Sequence, residues 1–186
     1  MSAPDPSRDP LADLSADLVS RLAAVRLAVF DVDGTLTDGR VIYVGDEEQQ
    51  SFCVHDGQGL AWLGRAGVEL AWITGRGCRA TIKRAEELGV RHLHMREGPK
   101  NVVLQALQVE AGIAVEATLA MGDDLPDLAM VPQAAIFVAP ANARPEVLHA
   151  ADYVTSAAAG AGAAREVAEL VLRARGDWES LTRGQV

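Results

Sequence analysis

The sequence predicts an α/β fold: a Rossmann-like parallel sheet flanked by helices, with a β-hairpin projecting after the first strand. Three observations carry that prediction. Short apolar runs at residues 27–30, 68–73, 118–121 and 134–138 alternate with stretches of helical periodicity, and strands alternating with helices of this length form parallel βαβ units. The first run, Leu27-Ala28-Val29-Phe30, has no polar face, as expected of a strand buried on both sides. It ends abruptly in Asp31-Val32-Asp33-Gly34, and an open α/β sheet binds its ligands at the carboxyl ends of its strands.

Taken in order, residues 1–10 carry three prolines among polar neighbours and read as a disordered leader. Residues 11–186 read as one domain. Leu11, Leu14, Leu18 and Leu22 recur at helical spacing, giving a short amphipathic helix that feeds the first strand. Residues 40–44 and 49–54 flank Gly45-Asp46-Glu47, a hairpin signature. Such a hairpin must project over or beside the site, and its apolar content points to a subunit contact. The pattern then predicts a helix from about Gly57 to Gly67, a strand over 68–73, a helix over 78–88 ended by Gly89, and a strand over 90–95. A helix over 100–111, a strand over 118–121, a short helix through Met130 and a strand over 134–138 follow. The chain closes with a helix over 145–150, a strand over 153–155, a helix over 163–175 and a tail from Gly176 anchored by Trp178 and Leu181.

With 186 residues, 49% of them apolar, the chain can bury one sizeable core. A net charge of −9 argues against nucleic acid or an anionic membrane as the main partner, while metal ions would be attracted. Cys53 and Cys78 are the only cysteines, so neither a disulfide framework nor a thiolate zinc site is implied. There is no basic segment leading into an apolar core, and no run nears the roughly 18 apolar residues of a membrane span. A cytoplasmic location is the expectation.

The chemistry lies in an ordered set of motifs. After Asp31 and Asp33 come Ile73-Thr74-Gly75-Arg76, then Lys100 opening a helix, then Met121-Gly122-Asp123-Asp124-Leu125-Pro126-Asp127. A nucleophilic carboxylate, a second one two residues on, a hydroxyl, a lysine and a late acidic cluster are the parts that transfer a phosphoryl group through an aspartyl phosphate. Asp31 is the expected nucleophile. Asp33, on the same strand face, is placed to protonate the leaving oxygen and later to deprotonate water. Several carboxylates beside a phosphate dianion require a cation, and Mg²⁺ fits an all-oxygen site made by Asp31, the Asp33 carbonyl and Asp123. Asp124 and Asp127 would orient the metal waters and Lys100. Thr74 and the amides after it, from Gly75 on, offer neutral donors to phosphoryl oxygens, and Lys100 a point charge.

This pattern resembles the haloacid dehalogenase (HAD) superfamily of phosphohydrolases. Within it, Asp-Val-Asp-Gly-Thr-Leu-Thr-Asp-Gly, the His55-Asp56-Gly57-Gln58-Gly59 segment, Gly122-Asp123-Asp124 and Gly160-Ala161-Gly162-Ala163-Ala164-Arg165-Glu166 resemble the 3-deoxy-D-manno-octulosonate 8-phosphate phosphatase family. The resemblance runs from about Leu22 to the C-terminus. It implies a HAD-like, capless fold, hydrolysis of that sugar phosphate for lipopolysaccharide precursor synthesis, and a homotetramer whose hairpins pack together. It also implies that a C-terminal tail reaches a neighbouring subunit's site, here with Arg183 or Gln185 near the substrate. Thr35, His55, Gly75, Arg76 and Arg165 are the remaining substrate-side candidates. The chain departs from the family pattern at His55 (usually Arg), at Met95-Arg96 (usually Gln-Gly) and at Ala159 (usually Gly), positions that bear on the sugar rather than on phosphoryl transfer.

Other readings stand beside this one. A phosphatase of sialic-type acid 9-phosphates keeps the enzyme and changes the sugar. A receiver domain would carry adjacent acidic residues at its first strand, whereas here Asp-x-Asp comes first. A catalytically silent assembly domain would not need Asp31, Asp33, Thr74, Lys100 and Asp123 together.

Overall fold

The computed structural model describes residues 9–183. Six parallel strands form one sheet in the order β5-β4-β1-β6-β7-β8: β1 Leu27–Phe30, β4 Glu69–Thr74, β5 His92–Met95, β6 Thr118–Met121, β7 Ile136–Ala139 and β8 Tyr153–Val154. The chain moves outward from β1 through β4 to β5, then crosses back to β6 on the other side of β1. That reversal leaves a crevice at the carboxyl ends of β1 and β6.

Alternation along β1 sorts its side chains into two cores. Ala28 and Phe30 join Leu18, Leu22, Leu60, Leu63, Trp72, Val167 and Val171 beneath helices α1 Ala16–Ala23, α2 Val54–Arg65, α3 Arg79–Leu88 and α6 Ala163–Ala174. Leu27 and Val29 join Leu104, Leu107, Phe137 and Val147 beneath α4 Lys100–Ala111 and α5 Pro145–Ala150. The all-apolar run is therefore explained by burial on both faces, since every residue of β1 is fully buried.

Several boundaries differ from the sequence reading. Helix α1 begins only at Ala16, because the Ser15 hydroxyl caps it by accepting from the Leu18 amide; Leu11 and Leu14 pack on the core from a turn instead. The predicted leader lies outside the described residues except for Asp9 and Pro10. The hairpin pairs β2 Ile42–Val44 with β3 Glu47–Gln49, so the turn is Gly45-Asp46 and Glu47 is already in the ladder. Residues 50–53 leave the ladder to run inward, where Phe52 stacks on Trp72 at 6.0 Å, and α2 starts at Val54 rather than near Gly57. The short helix through Met130 is a 3₁₀ segment, Leu125–Gln133, as expected with Pro126 and Pro132 in it.

On the hairpin, Ile42, Tyr43 and Val44 are 47%, 67% and 55% exposed, an apolar strand facing solvent. The tail forms a further short helix, α7 Trp178–Thr182, held on its own chain: Trp178 meets Trp62 edge-on at 5.4 Å and lies against the Arg165 and Arg173 guanidinium groups. Among the described residues, no helix is long and apolar enough to cross a membrane. Both cysteines are free thiols.

Candidate active site

The crevice between β1 and β6 gathers Asp31, Asp33, Thr74, Lys100, Asp123 and Asp127. Asp31 is the first residue beyond β1, and its amide donates to the Met121 carbonyl at the end of β6, tying the two strand ends together. Its carboxylate is buried and accepts from Lys100 Nζ at 2.5 Å. The same ammonium donates to Asp127 Oδ1 at 2.5 Å. Lys100 opens α4 after Pro99, so its stem packs within the fold while its charge sits between two carboxylates. Burial acts to lower its pKa, but Asp31 and Asp127 outweigh that and raise it, which keeps the ammonium charged.

Asp127 is buried and fully used: its Oδ2 accepts from the amides of Asp123 (2.9 Å) and Asp124 (3.0 Å). It therefore builds the loop that presents Asp123, as well as holding Lys100. Gly122 fits here because a Cβ at that position would overlap the Asp127 side chain. Asp123 reaches back toward β1, where Thr35 donates to its Oδ1 at 2.9 Å. Gly34, at φ 99°, allows this approach; a Cβ there would overlap the Asp123 carboxylate. The Gly in Asp-x-Asp-Gly is thus required by contact with a motif almost ninety positions away as well as by backbone conformation.

Carboxylate oxygens of Asp31, Asp123 and Asp127 lie within 4.8 Å of one another. Burial, and after it the charges of Asp127 and Asp124, push the Asp123 carboxyl up to about 6 against the favourable Thr35 bond. Asp31 is also pushed up, by burial and then by Asp127, against the pull of Lys100. Three carboxylates facing one ammonium leave two excess negative charges, which a divalent cation would balance. Asp31 Oδ2 and Asp123 Oδ2 are the oxygens without a protein hydrogen bond among the described residues. With oxygen donors only, two of them without a protein hydrogen bond, the residues fit a hard cation such as Mg²⁺.

Asp33, half-buried, uses both oxygens: Oδ2 accepts from Thr74 Oγ1 and Oδ1 from Gln50 Nε2, each at 2.8 Å. Thr74 in turn accepts from the Arg76 amide at 3.1 Å. A cavity of about 340 Å³ lies alongside, bordered by Thr74, Gly75, Lys100, Pro99, Val103 and Pro126.

The substrate-side candidates are placed differently. Thr35 is fully buried and serves Asp123, so its hydroxyl is not a substrate contact. Arg76 pairs with Glu48 of the hairpin at 3.1 Å. Arg165 turns down α6 to Glu169 at 2.6 Å and lies over Trp62 at 4.3 Å, so the crevice does not receive its guanidinium. His55 is exposed on the first turn of α2, Asp124 is an exposed cap of the 3₁₀ segment, and Arg183 is exposed at the end of α7. Gln185 lies outside the described residues. At the departure Met95-Arg96, Arg96 takes φ 62° and donates to the Gly77 carbonyl at 3.2 Å.

Sequence reasoning missed Gln50 and the role of Asp56. Asp56 is buried on α2 and accepts from the amides of Arg165 (2.7 Å) and Gly162 (3.3 Å), capping α6 across the domain. The loop before α6 lies against the β1 motif, with the Gly160 amide donating to the Thr35 carbonyl at 3.2 Å. Replacing Asp56 by Ala leaves those amides unpaired, and we expect a loss of about 1–3 kcal/mol in urea unfolding, with no change in m-value.

A sheet of this order with an aspartate pair beyond β1, a hydroxyl at the end of β4, a lysine at the start of α4 and an acidic loop beyond β6 defines a HAD-type phosphohydrolase. Residues 92–167 match the haloacid dehalogenase-like hydrolases. The chain is 39% identical over 165 residues, 88% of its own length and 87% of the relative's, to the 3-deoxy-D-manno-octulosonate 8-phosphate phosphatase KdsC of Escherichia coli K12. A crystal structure of a hypothetical protein from Xanthomonas campestris superposes with a TM-score of 0.91 at 45% identity, covering 96% of this chain and 99% of that one. The 3-deoxy-D-manno-octulosonate 8-phosphate phosphatase of Moraxella catarrhalis, solved with magnesium, phosphate and KDO, superposes at 0.88 with 34% identity over 91% and 98% of the two chains. The chain belongs to the 3-deoxy-D-manno-octulosonate 8-phosphate phosphatase family.

Proposed function

We propose that this protein is a Mg²⁺-dependent phosphatase that hydrolyses 3-deoxy-D-manno-octulosonate 8-phosphate to the free sugar acid and phosphate, in lipopolysaccharide precursor synthesis. Names of the relatives support the substrate. The observation that carries the chemistry is one crevice holding Asp31 against Lys100 and Asp33 against Thr74.

Asp31 attacks phosphorus from the end of a buried strand, with little freedom to lose. The ester P–O bond breaks as the Asp31 O–P bond forms, and Asp33 gives its proton to the departing sugar oxygen. Water then attacks the aspartyl phosphate and Asp33 takes the proton, releasing phosphate and restoring Asp31. Lys100 balances charge on the phosphoryl oxygens while Asp127 holds it in place. The Thr74 hydroxyl and the Gly75 amide donate to the same oxygens; for this the hydroxyl must rotate away from Asp33, while the Arg76 amide holds the Thr74 oxygen. Asp31, Asp123 and the Asp33 carbonyl would hold Mg²⁺, which supplies neutralisation of the carboxylate cluster and polarisation of the phosphoryl group.

A panel of sugar phosphates tests this reading. Hydrolysis is expected to be fastest on 3-deoxy-D-manno-octulosonate 8-phosphate, lost in chelator, restored by Mg²⁺, and weaker with Ca²⁺, whose looser shell places oxygens less well. Full activity in chelator would remove the cation, and preference for a sialic-type acid 9-phosphate would change the sugar.

The same reading extends to assembly. The exposed Ile42-Tyr43-Val44 strand fits a hairpin that packs against other copies in a homotetramer. On this reading residues 11–186 form a single domain and the enzyme is cytoplasmic. Because α7 packs on its own chain, the residues proposed to approach a neighbouring site are Arg183, exposed at the end of α7, and Gln185, which lies outside the described residues.

A further inference from the structure

We propose that Gln50 is a positioning residue for Asp33: it pins Oδ1 of that carboxylate and so assigns the travelling proton to Oδ2. The inference rests on the phosphatase function above and adds to it a residue from the hairpin.

Gln50 is the first residue beyond β3. Its side-chain amide nitrogen donates to Asp33 Oδ1 at 2.8 Å. At the other end, its Oε1 accepts from the Thr81 hydroxyl at 2.6 Å and lies 3.4 Å from the Cys78 thiol. Thr81 is fully buried in the first turn of α3, and its oxygen accepts from the Cys78 amide at 3.2 Å. The orientation of the Gln50 amide is therefore fixed. A flip would set its carbonyl oxygen against a carboxylate oxygen, acceptor against acceptor.

The two oxygens of Asp33 thus have partners of different kinds. Oδ2 faces the Thr74 hydroxyl at 2.8 Å, and a hydroxyl can donate, accept or rotate away. Oδ1 faces an amide N–H, which can only donate. Oδ1 therefore stays an acceptor throughout the cycle, and Oδ2 is the oxygen that carries the proton. In phosphoryl transfer, Oδ2–H protonates the ester oxygen as its bond to phosphorus breaks and the Asp31 O–P bond forms. In hydrolysis, Oδ2 takes the proton of the attacking water as the new P–O bond forms and the Asp31 O–P bond breaks.

The hairpin supplies this contact by strand alternation. Glu48 and Gln50 lie two apart and point the same way; Glu48 pairs with Arg76 beyond β4 while Gln50 reaches Asp33. The hairpin is thus tied to the proton donor through Gln50 and to the residue beyond Gly75 through Glu48.

The test compares two phosphate esters in Gln50→Leu, which removes the donor, and Gln50→Glu, which replaces it with an acceptor. On the sugar acid phosphate, kcat is expected to fall roughly 10- to 100-fold, part of the usual general acid–base contribution, with KM within about threefold. Nitrophenolate leaves without a proton. With p-nitrophenyl phosphate, the pre-steady-state burst should therefore slow by less than about threefold while the steady-state rate that follows falls as kcat does. Gln50→Glu should be the slower of the two. Burst amplitude counts folded sites, so a poorly folded variant still yields the ratio. The proposal is overturned if burst and steady state fall together, as for a merely structural residue, or if neither changes. A wild-type enzyme that shows neither a burst nor sugar phosphate turnover would overturn the proposed function itself, and the inference with it.

Discussion

Replacing Asp31 by Asn abolishes turnover of the sugar acid phosphate, by at least about 10⁴-fold, because the covalent route then has no attacking oxygen of sufficient nucleophilicity. The fold survives the change. Burial and the neighbouring Asp127 disfavour the Asp31 carboxylate, so a neutral side chain of the same shape removes repulsion while Lys100 keeps its bond to Asp127. Thermal melting is expected at or above the wild-type temperature, the pattern of a site that gives up stability for reactivity. Turnover close to wild type in Asp31→Asn would sink the mechanism; loss of both activity and folding would leave the residue structural.

Asp33→Asn separates the two halves of the reaction. A sugar alkoxide leaves poorly without a proton, so steady-state turnover of the sugar phosphate should fall about 10²- to 10⁴-fold. Phosphoryl transfer from an ester whose leaving group needs no proton should persist. Because Asp33 is also the base for the water, phosphoenzyme then accumulates, and acid-quenched protein incubated with p-nitrophenyl phosphate should carry one added phosphate by intact mass. Equal losses on both esters with no phosphorylated species would mean that Asp33 only positions its neighbours.

How far the sequence could be read depended on how local each cause is. Strand β1 and helix α4 were legible to the residue, since an all-apolar run and a proline followed by helical periodicity are local signals. The hairpin's second strand, expected over 49–54, is Glu47–Gln49. The apolar stretch at Phe52 is half-buried by stacking on Trp72, a tertiary contact, and the true strand Glu47–Gln49 is polar because it faces solvent. In the crevice, Asp31, Asp33, Thr74, Lys100, Asp123 and Asp127 could be grouped from sequence because strand ends of a parallel sheet converge. The destinations of long side chains could not. Arg76 and Arg165 were expected on the substrate side, yet Glu48, Glu169 and Trp62 take them up. Thr35 looked like a substrate contact and instead holds Asp123. Gln50 carried no signal, and Asp56 stood in a recognised motif without its role being legible, for each acts on a partner that only the tertiary fold supplies.

The central claim is the covalent intermediate on Asp31. A single turnover of 3-deoxy-D-manno-octulosonate 8-phosphate with Mg²⁺, quenched into borohydride, reduces an acyl phosphate to the alcohol and marks its position permanently. Peptide mapping should then find homoserine at position 31, only when substrate was present, and unmodified aspartate at Asp33, Asp123 and Asp127. Homoserine at one of those other positions, or at none while turnover proceeds, would contradict the account.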